Sequence, residues 1–309
     1  MTTPPSPRAL PPADDPGTIQ LVLAADRNLV RQAGITALSA RLRSSLPIHV
    51  TFLTPQRDVA LPAWLSVLAA LRSEGLSCDL LAVDVQLLDL QVAEHLTLTT
   101  YYRLLTPSLL APGTSRAIYL DCDVLVGRDL AALWTTSLDG QPIGAVPDHN
   151  FTSWDRIGLS PSDGYFNAGV LLLDIPQIRR DRMFEEALQF SQEHPERLTW
   201  SDQCALNATL ARRWRALGSE WNFQYADLLA EVRSKGLHAA VAKARSSVMH
   251  FNNYDRPWLP ESAHPLRDTY FAVAQRHSAL DLAVTQSVAA RWIRLKRRVK
   301  WRLMSAGMA

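Results

Sequence analysis

The sequence has few cysteines and no long apolar run. Cys78, Cys122 and Cys204 show no paired spacing, which favours a reducing cytoplasm over a disulfide framework. No stretch approaches the ~18 consecutive apolar residues of a transmembrane helix, and the first twenty residues lack the apolar core of a signal peptide. Hydrophobic residues still make up 47% of the 309-residue chain, enough to bury a large core. We therefore expect a cytoplasmic globular protein without a membrane span.

Several motifs of common enzymes are also absent. The chain has no Gly-rich phosphate loop of the Walker or dinucleotide type, no nucleophile elbow and no internal repeat. The sequence therefore offers no motif for a Walker-type nucleotide site, a dinucleotide site or a serine nucleophile on an elbow. The net charge of +2 is unevenly spread, because seven basic and no acidic residues follow Leu282. The body of the protein is mildly acidic and its tail is basic.

Apolar runs alternate with helical spacings along the first part of the chain. This alternation predicts an α/β fold with a mainly parallel central sheet. Strands are predicted at residues 18–25, 48–53, 80–85, 118–120, 143–146 and 165–175, and helices at 29–42, 64–71, 97–105, 179–192 and 202–210. Five prolines among the first twelve residues predict a disordered leader over residues 1–17.

Residues 117–128, with the sequence AIYLDCDVLVGR, place two carboxylates directly after an apolar run. Ionised carboxylates are costly to bury without a partner, so we expect Asp121 and Asp123 to face a cleft at the end of the strand. A metal is the simplest cation to meet them there. The alternative is a turn in which an aspartate caps the following helix-like segment DLAALW.

Polar residues follow the other predicted strands as well. In parallel α/β sheets ligands bind beyond the carboxyl ends of the strands, a position that Asp26, Asn28 and Asp148 share. Each of the polar candidates also has an ordinary structural interpretation. These are a helix N-cap for Asp26, Asn28 or Asp202, a solvated surface residue for Arg103, a strand bulge at Asn167, and a core or surface histidine for His250.

Five short segments follow one another along the chain, namely LAAD at 23–26, YRL at 102–104, YLDCDVLV at 119–126, YFNAGVLLLD at 165–174, and residues 250–258. This series resembles the one found, in the same order, in glycosyltransferase family 8, the retaining enzymes of GT-A type that use nucleotide sugars. The chain resembles this family from about residue 18 to about residue 258. The resemblance implies a Rossmann-like single catalytic domain of GT-A type over 18–258, with a mixed, mainly parallel sheet, and a helical extension over 259–309.

The resemblance also implies a function and roles for individual residues. The activity would be metal-dependent transfer of galactose or glucose from a UDP-sugar to a saccharide acceptor, lipopolysaccharide or another lipid-linked glycan. Asp121, Asp123 and His250 would coordinate Mn²⁺ or Mg²⁺, a ligand set that suits such an ion. The implied donor-binding residues are Asp26 and Asn28 for the uridine, Arg103, Asn167 and Gly169 for the nucleotide sugar, Cys122 between the two acids, and Asn253 and Arg256 near the diphosphate. Asp202 and Gln203 would lie beside the transferred sugar, with Asp148 near the donor sugar or the acceptor.

The mechanism follows from the charge that develops on the departing UDP, which the metal and Arg256 would stabilise. We favour attack by the acceptor hydroxyl from the same face as the leaving phosphate, over a double displacement with Asp202 as nucleophile.

The chain departs from the common family pattern in four places. They are Leu29 in place of an aromatic residue, Cys204 in place of an acid, Asn253 in place of glycine, and Arg256 in place of lysine.

The basic tail has helical spacing. Five apolar residues can form one stripe, namely Val288, Trp292, Leu295, Val299 and Leu303. An apolar face flanked by cations is typical of a helix that lies on an anionic membrane. We therefore expect residues 288–304 to bind the inner face of the cytoplasmic membrane. A helix docked on the body is the alternative, and nucleic-acid binding is not expected.

Two other functions compete with glycosyl transfer. One is a phosphohydrolase like the haloacid dehalogenases with Asp121 as nucleophile, which would leave His250 and the segment 167–169 without roles. The other is a membrane scaffold that binds nucleotide sugars without turnover, with Leu29 and Asn253 reflecting lost catalysis.

Overall fold

The structure is a computed structural model that describes residues 17–84, 98–284 and 287–306. The predicted leader lies outside these residues except for Gly17. The strands are β1 (Ile19–Ala24), β2 (Ile48–Pro55), β3 (Ser77–Val83), β4 (Arg116–Leu120), β5 (Val124–Val126), β6 (Ile143–Pro147), β7 (Phe166–Asp174), β8 (Arg215–Ala216) and β9 (Val248–His250). The helices are α1 (Val30–Arg41), α2 (Pro62–Ser73), α3 (Tyr102–Leu109), α4 (Ala131–Trp134), α5 (Ile175–Arg180), α6 (Met183–Glu193), α7 (Ser201–Thr209), α8 (Tyr225–Arg245), α9 (Arg267–Ala274) and α10 (Val288–Ser305).

Seven strands form one sheet in the order β3-β2-β1-β4-β7-β6-β8. The first four are parallel, β7 runs antiparallel to both of its neighbours, and β8 is parallel to β6. The sheet is therefore mixed and mainly parallel, which confirms the predicted fold class.

The sheet is buried on both faces. Alternate residues of β1 belong to different apolar clusters, because Leu21 and Leu23 pack with α1 and α2 whereas Val22 and Ala24 pack with α3 and α6. Successive side chains of a strand point to opposite faces, so continuous apolar runs are needed where both faces are covered. This burial explains why β1 and β7 are largely apolar on both faces.

Three local predictions need correction. The helix predicted over 179–192 is two helices, α5 and α6, separated where Arg182 adopts a left-handed φ of 53°. Residues 98–101 form a 3-10 helix before α3 begins at Tyr102. Asp202 is not a helix N-cap, since Trp200 occupies that position in α7 and the carboxylate lies inside the first turn.

A separate antiparallel ribbon joins β5 to β9 and pairs Val124 with His250. The ribbon continues the chain directly from Asp123, so it brings a histidine from late in the sequence beside the two acids. The helix-like segment after the ribbon is α4, whose Ala131 amide is capped by Asp129. The capping aspartate of this turn is therefore neither Asp121 nor Asp123.

Candidate active site

A cleft of about 750 Å³ opens beyond the carboxyl ends of β1 and β4. The position is the one expected for a ligand site in an α/β sheet. It is lined by thirteen of the fourteen candidates from the sequence, namely Asp26, Asn28, Arg103, Asp121, Cys122, Asp123, Asp148, Asn167, Asp202, Gln203, His250, Asn253 and Arg256. Gly169, the fourteenth, lies behind His250 and does not line the cleft.

Asp121, Asp123 and His250 converge at the floor of this cleft. His250 Nε2 lies 3.2 Å from an oxygen of Asp123 and 3.8 Å from an oxygen of Asp121. One ligand atom from each residue lies within 4.8 Å of the others. Two carboxylate oxygens and one imidazole nitrogen suit Mn²⁺ or Mg²⁺, so the residues present fit a divalent cation.

The charges of this cluster support each other. Burial works to lower the pKa of His250, but the carboxylates of Asp123 and Asp121 outweigh it and raise that pKa. Burial works to raise the pKa of Asp123, but His250 and Arg256 outweigh it and lower that pKa. Asp123 is thus held ionised, the state in which a carboxylate binds metal.

Arg103 is buried beneath the acids. Its guanidinium lies 3.0 Å from Asp121, contacts Asp202, and packs over the ring of Tyr119 at 5.0 Å. Burial works to lower the pKa of Arg103, but Asp121 and Asp202 raise it. The alternative of a solvated surface arginine is therefore wrong.

Asp202 and Gln203 lie side by side at the start of α7. Thr100 donates a hydrogen bond of 2.5 Å to one Asp202 oxygen, and Arg103 contacts the other. Gln203 accepts a hydrogen bond from the Ala168 amide at 3.0 Å and donates weakly to Asp148 at 3.5 Å. The three residues predicted to lie around the transferred sugar therefore share one wall of the cleft.

Burial raises the pKa of Asp202 to about 6, although Arg103 and Thr100 draw it down. Because the folded protein then binds this proton more tightly than the unfolded chain does, Asp202 lowers stability as it ionises. The free energy of unfolding should therefore fall as the pH rises from the ordinary pKa of this group, 3.8, to its pKa in the folded protein, about 6. The fall contributed by Asp202 should be roughly 3 kcal/mol in all.

This pH dependence can be measured by urea unfolding in EDTA at pH 4.5 and pH 7.5. Asp202→Asn should gain stability relative to the unsubstituted protein as the pH rises, because asparagine does not ionise. A stability difference between the two proteins that is the same at both pH values would contradict the assignment.

The loop after β1 is held by a residue that the sequence reasoning missed. Asp58 is fully buried and accepts hydrogen bonds from the Arg27 backbone amide at 3.0 Å and from its guanidinium at 2.9 and 2.6 Å. Asp26 in turn accepts from the Asn28 amide at 2.9 Å. The acid shortly after β2, in the segment PQRD, is the only sequence signal of this anchor.

Neither Asp26 nor Asn28 is the N-cap of α1, which is Leu29.

Two of the candidate residues, Cys122 and Gly169, contact other residues of the protein. The Cys122 thiol donates to the Ala24 carbonyl at 2.9 Å, and burial raises its pKa well above the ordinary value, so it stays protonated. A Cβ at residue 169 would lie 2.2 Å from the His250 ring, so glycine is required there for the histidine to fit. Gly169 therefore makes room for His250 and does not line the cleft itself.

Asn253 and Arg256 lie on the loop after β9. Arg256 reaches to 3.4 Å from Asp123 while its side chain stays 44% exposed, so it remains open to a ligand. Asn253 accepts a hydrogen bond from the Asp255 amide at 2.8 Å, and its φ is negative. The side chain of Asn253 thus stabilises the turn of this loop without backbone strain.

The fold and the cleft define a glycosyltransferase of GT-A type. The model of glycosyl transferase family 8 matches residues 20–262, and the chain belongs to this family. This membership removes the phosphohydrolase alternative.

Similar proteins agree with that assignment. General stress protein A of Bacillus subtilis is 31% identical over 206 residues, which are 64% of this chain and 72% of that protein. Lipopolysaccharide 1,3-galactosyltransferase of Salmonella typhimurium is 25% identical over 62% of this chain and 58% of that protein. The crystal structure of the galactosyltransferase LgtC with donor and acceptor sugar analogues superposes with a TM-score of 0.73, at 23% identity, over 89% of this chain and all of that one. This last likeness concerns the fold.

Proposed function

We propose that the protein is a metal-dependent, retaining hexosyltransferase. It transfers galactose or glucose from a UDP-sugar to a saccharide acceptor, lipopolysaccharide or another lipid-linked glycan. The observation that carries the proposal is the convergence of Asp121, Asp123 and His250 within one cleft that also holds Arg256. The similarity to a lipopolysaccharide galactosyltransferase supports the choice of sugar and acceptor.

Asp121, Asp123 and His250 would hold Mn²⁺ or Mg²⁺, which when bound supplies positive charge for the leaving diphosphate. Arg256 adds a second cation whose planar guanidinium suits phosphate oxygens. Asp26 and Asn28 are assigned to the uridine, Arg103, Asn167 and Gly169 to the nucleotide sugar, and Asn253 with Arg256 to the diphosphate. Of these, Arg103 and Gly169 would act through their neighbours, because Arg103 is bound to two carboxylates and Gly169 lies behind the histidine.

The contacts of Asp202 favour front-face attack over double displacement. One oxygen accepts a hydrogen bond from Thr100 and the other lies against the guanidinium of Arg103, so the carboxylate is already paired with a cation. A carboxylate in that position orients a sugar better than it attacks one. The acceptor hydroxyl would then form the new bond on the face from which phosphate leaves, and its proton would pass to the departing phosphate oxygen.

A thermal-shift panel of UDP-sugars, with and without Mn²⁺, tests the activity and the sugar together. UDP-galactose or UDP-glucose should raise the melting temperature only when Mn²⁺ is present, and the same sugar should be hydrolysed slowly to UDP. Binding without UDP release would favour the scaffold alternative. Equal stabilisation in EDTA would refute the metal requirement.

We also assign α10 to an anionic membrane surface. Its predicted stripe of Val288, Trp292, Leu295, Val299 and Leu303 is between 37% and 72% exposed. The opposite side of α10 is buried through Trp301 and Met304, and Trp301 packs on Tyr225 of α8. The helix is thus docked on the body and still presents an apolar stripe between basic residues. Among the described residues, no helix has both the length and the apolarity needed to cross a bilayer.

Replacing both Trp292 and Leu295 by serine should weaken binding to anionic vesicles by about tenfold or more, because two large apolar side chains no longer enter the interface. Co-sedimentation with phosphatidylglycerol vesicles measures this loss. Leu65→Ser, which removes a single exposed leucine from α2, is the matched control and should bind as the unsubstituted protein does. Equal binding by all three proteins, or unchanged binding after deletion of the residues beyond Leu282, would refute the assignment.

A further inference from the structure

A buried amide lies directly behind the imidazole of His250. The Nδ1 atom of His250 is 3.0 Å from Oδ1 of Asn222, on the side of the ring that faces away from the acids. Asn222 is fully buried and His250 is 4% exposed, so no bulk water competes for this contact. The segment that carries Asn222 is tied to β9, because Phe223 exchanges backbone hydrogen bonds with Val248 and His250 at 2.8 and 3.0 Å.

The direction of the hydrogen bonds behind His250 is fixed by a backbone group. The Gly169 amide can only donate, and it donates to Oδ1 of Asn167 at 3.0 Å. That same oxygen accepts from Nδ2 of Asn222 at 2.8 Å. The amide of Asn222 is therefore oriented with its nitrogen toward Asn167 and its oxygen toward His250. An oxygen in that place accepts a proton from Nδ1.

The hydrogen bond at Nδ1 determines the state of Nε2, the other ring nitrogen of His250. An imidazole that donates from Nδ1 keeps the lone pair of Nε2 free, and Nε2 is the atom that faces Asp121 and Asp123. We infer that Asn222 is a positioning residue for the cation site, which holds His250 in the Nδ1–H form and aims Nε2 at the ion. This inference rests on the metal site proposed above.

The ring has little freedom to escape this arrangement. Gly169 packs against one side of it so closely that a Cβ would overlap the ring. His250 is also paired with Val124 in the ribbon, which fixes its backbone. Buried partners that orient a metal-binding histidine typically change metal affinity by about 10–100-fold when they are removed.

The test measures Mn²⁺ binding to the full-length protein by the electron paramagnetic resonance signal of free Mn²⁺. Asn222→Leu, which keeps the branched outline of the side chain but offers no acceptor, should weaken binding by about 10–100-fold. Asn207→Leu is the matched control, because it removes an equally buried amide that bonds Phe166 and not His250. It should leave Mn²⁺ affinity unchanged.

The outcomes separate the two proposals. Absence of Mn²⁺ binding in the unsubstituted protein would refute the metal site, and the role of Asn222 with it. Normal binding by Asn222→Leu, or an equal loss in Asn207→Leu, would refute only the role of Asn222. A second measurement needs no substitution. In Mg²⁺-saturated protein with ¹⁵N-labelled histidine, His250 should carry a slowly exchanging proton on Nδ1, and a proton on Nε2 instead would overturn the inference.

Discussion

Asparagine in place of Asp123 should reduce Mn²⁺-dependent release of UDP from the UDP-sugar by about a thousandfold. Asp123 is the acid nearest to Nε2 of His250, at 3.2 Å, and it also pairs with Arg256 at 3.4 Å. The substitution removes one negative charge from the cation site and keeps the size of the side chain. Steady-state UDP release over a range of Mn²⁺ concentrations measures the effect, and the concentration needed for half-maximal rate should rise.

The fold should survive this substitution. The Asp123 carbonyl accepts the Phe251 amide at 2.8 Å, and that backbone bond does not involve the carboxylate. Asp129→Asn is a matched control from the same segment, since Asp129 caps α4 outside the cleft and an asparagine oxygen can still accept there. Rates in Asp123→Asn equal to those of Asp129→Asn would refute the cation site.

Much of the fold could be predicted because burial on both faces leaves a strong local pattern. The runs at β1, β4 and β7 are mostly apolar, and helical spacings separate the first three strands. The direction of β7 could not be predicted. A strand buried on both faces reads the same whether it is parallel or antiparallel, and β7 runs antiparallel because of its long-range pairing with β4 and β6.

Only part of the site could be predicted, because its contacts also join segments that are far apart in the sequence. Asn167 looked like a buried amide in need of a partner, and the partners are Asn222 and the Gly169 backbone. Asn222 itself directly follows a short 3-10 helix, Ser219–Trp221, and nothing in the local sequence marks it. Arg103 was equally ambiguous, since a helical arginine is usually solvated and only the folded chain places it between Asp121 and Asp202. Charges that meet across distant segments leave no local pattern in either segment.

The tail and the donor site are physically connected. Arg297 of α10 lies 3.2 Å from Asp255, which is buried and immediately precedes Arg256. Asp255 also accepts the Ala263 amide at 3.1 Å, and Arg297 packs over the ring of Tyr254 at 5.2 Å. The helix that carries the exposed apolar stripe therefore stabilises the loop that presents Arg256 to the cleft.

Methionine in place of Arg103 should lower the free energy of unfolding by about 3–5 kcal/mol, because it removes one partner of buried ion pairs and leaves two carboxylates without their cation. Urea unfolding in EDTA at pH 7.5 measures the loss. Arg213→Met is the matched control, since Arg213 pairs with Asp181 at an exposed site and should cost less than about 1 kcal/mol.

The cause of that loss can be isolated with a second substitution and with pH. Adding Asp202→Asn to Arg103→Met should restore part of the stability, because the neutral amide no longer needs a cation. The cost of Arg103→Met should also be smaller at pH 5 than at pH 7.5, since burial raises the pKa of Asp202 to about 6 and the carboxyl is largely protonated at the lower pH. A cost that does not change with pH or with Asp202→Asn would mean that Arg103 stabilises the fold through Asp121 or through packing on Tyr119, and not through its pairing with Asp202.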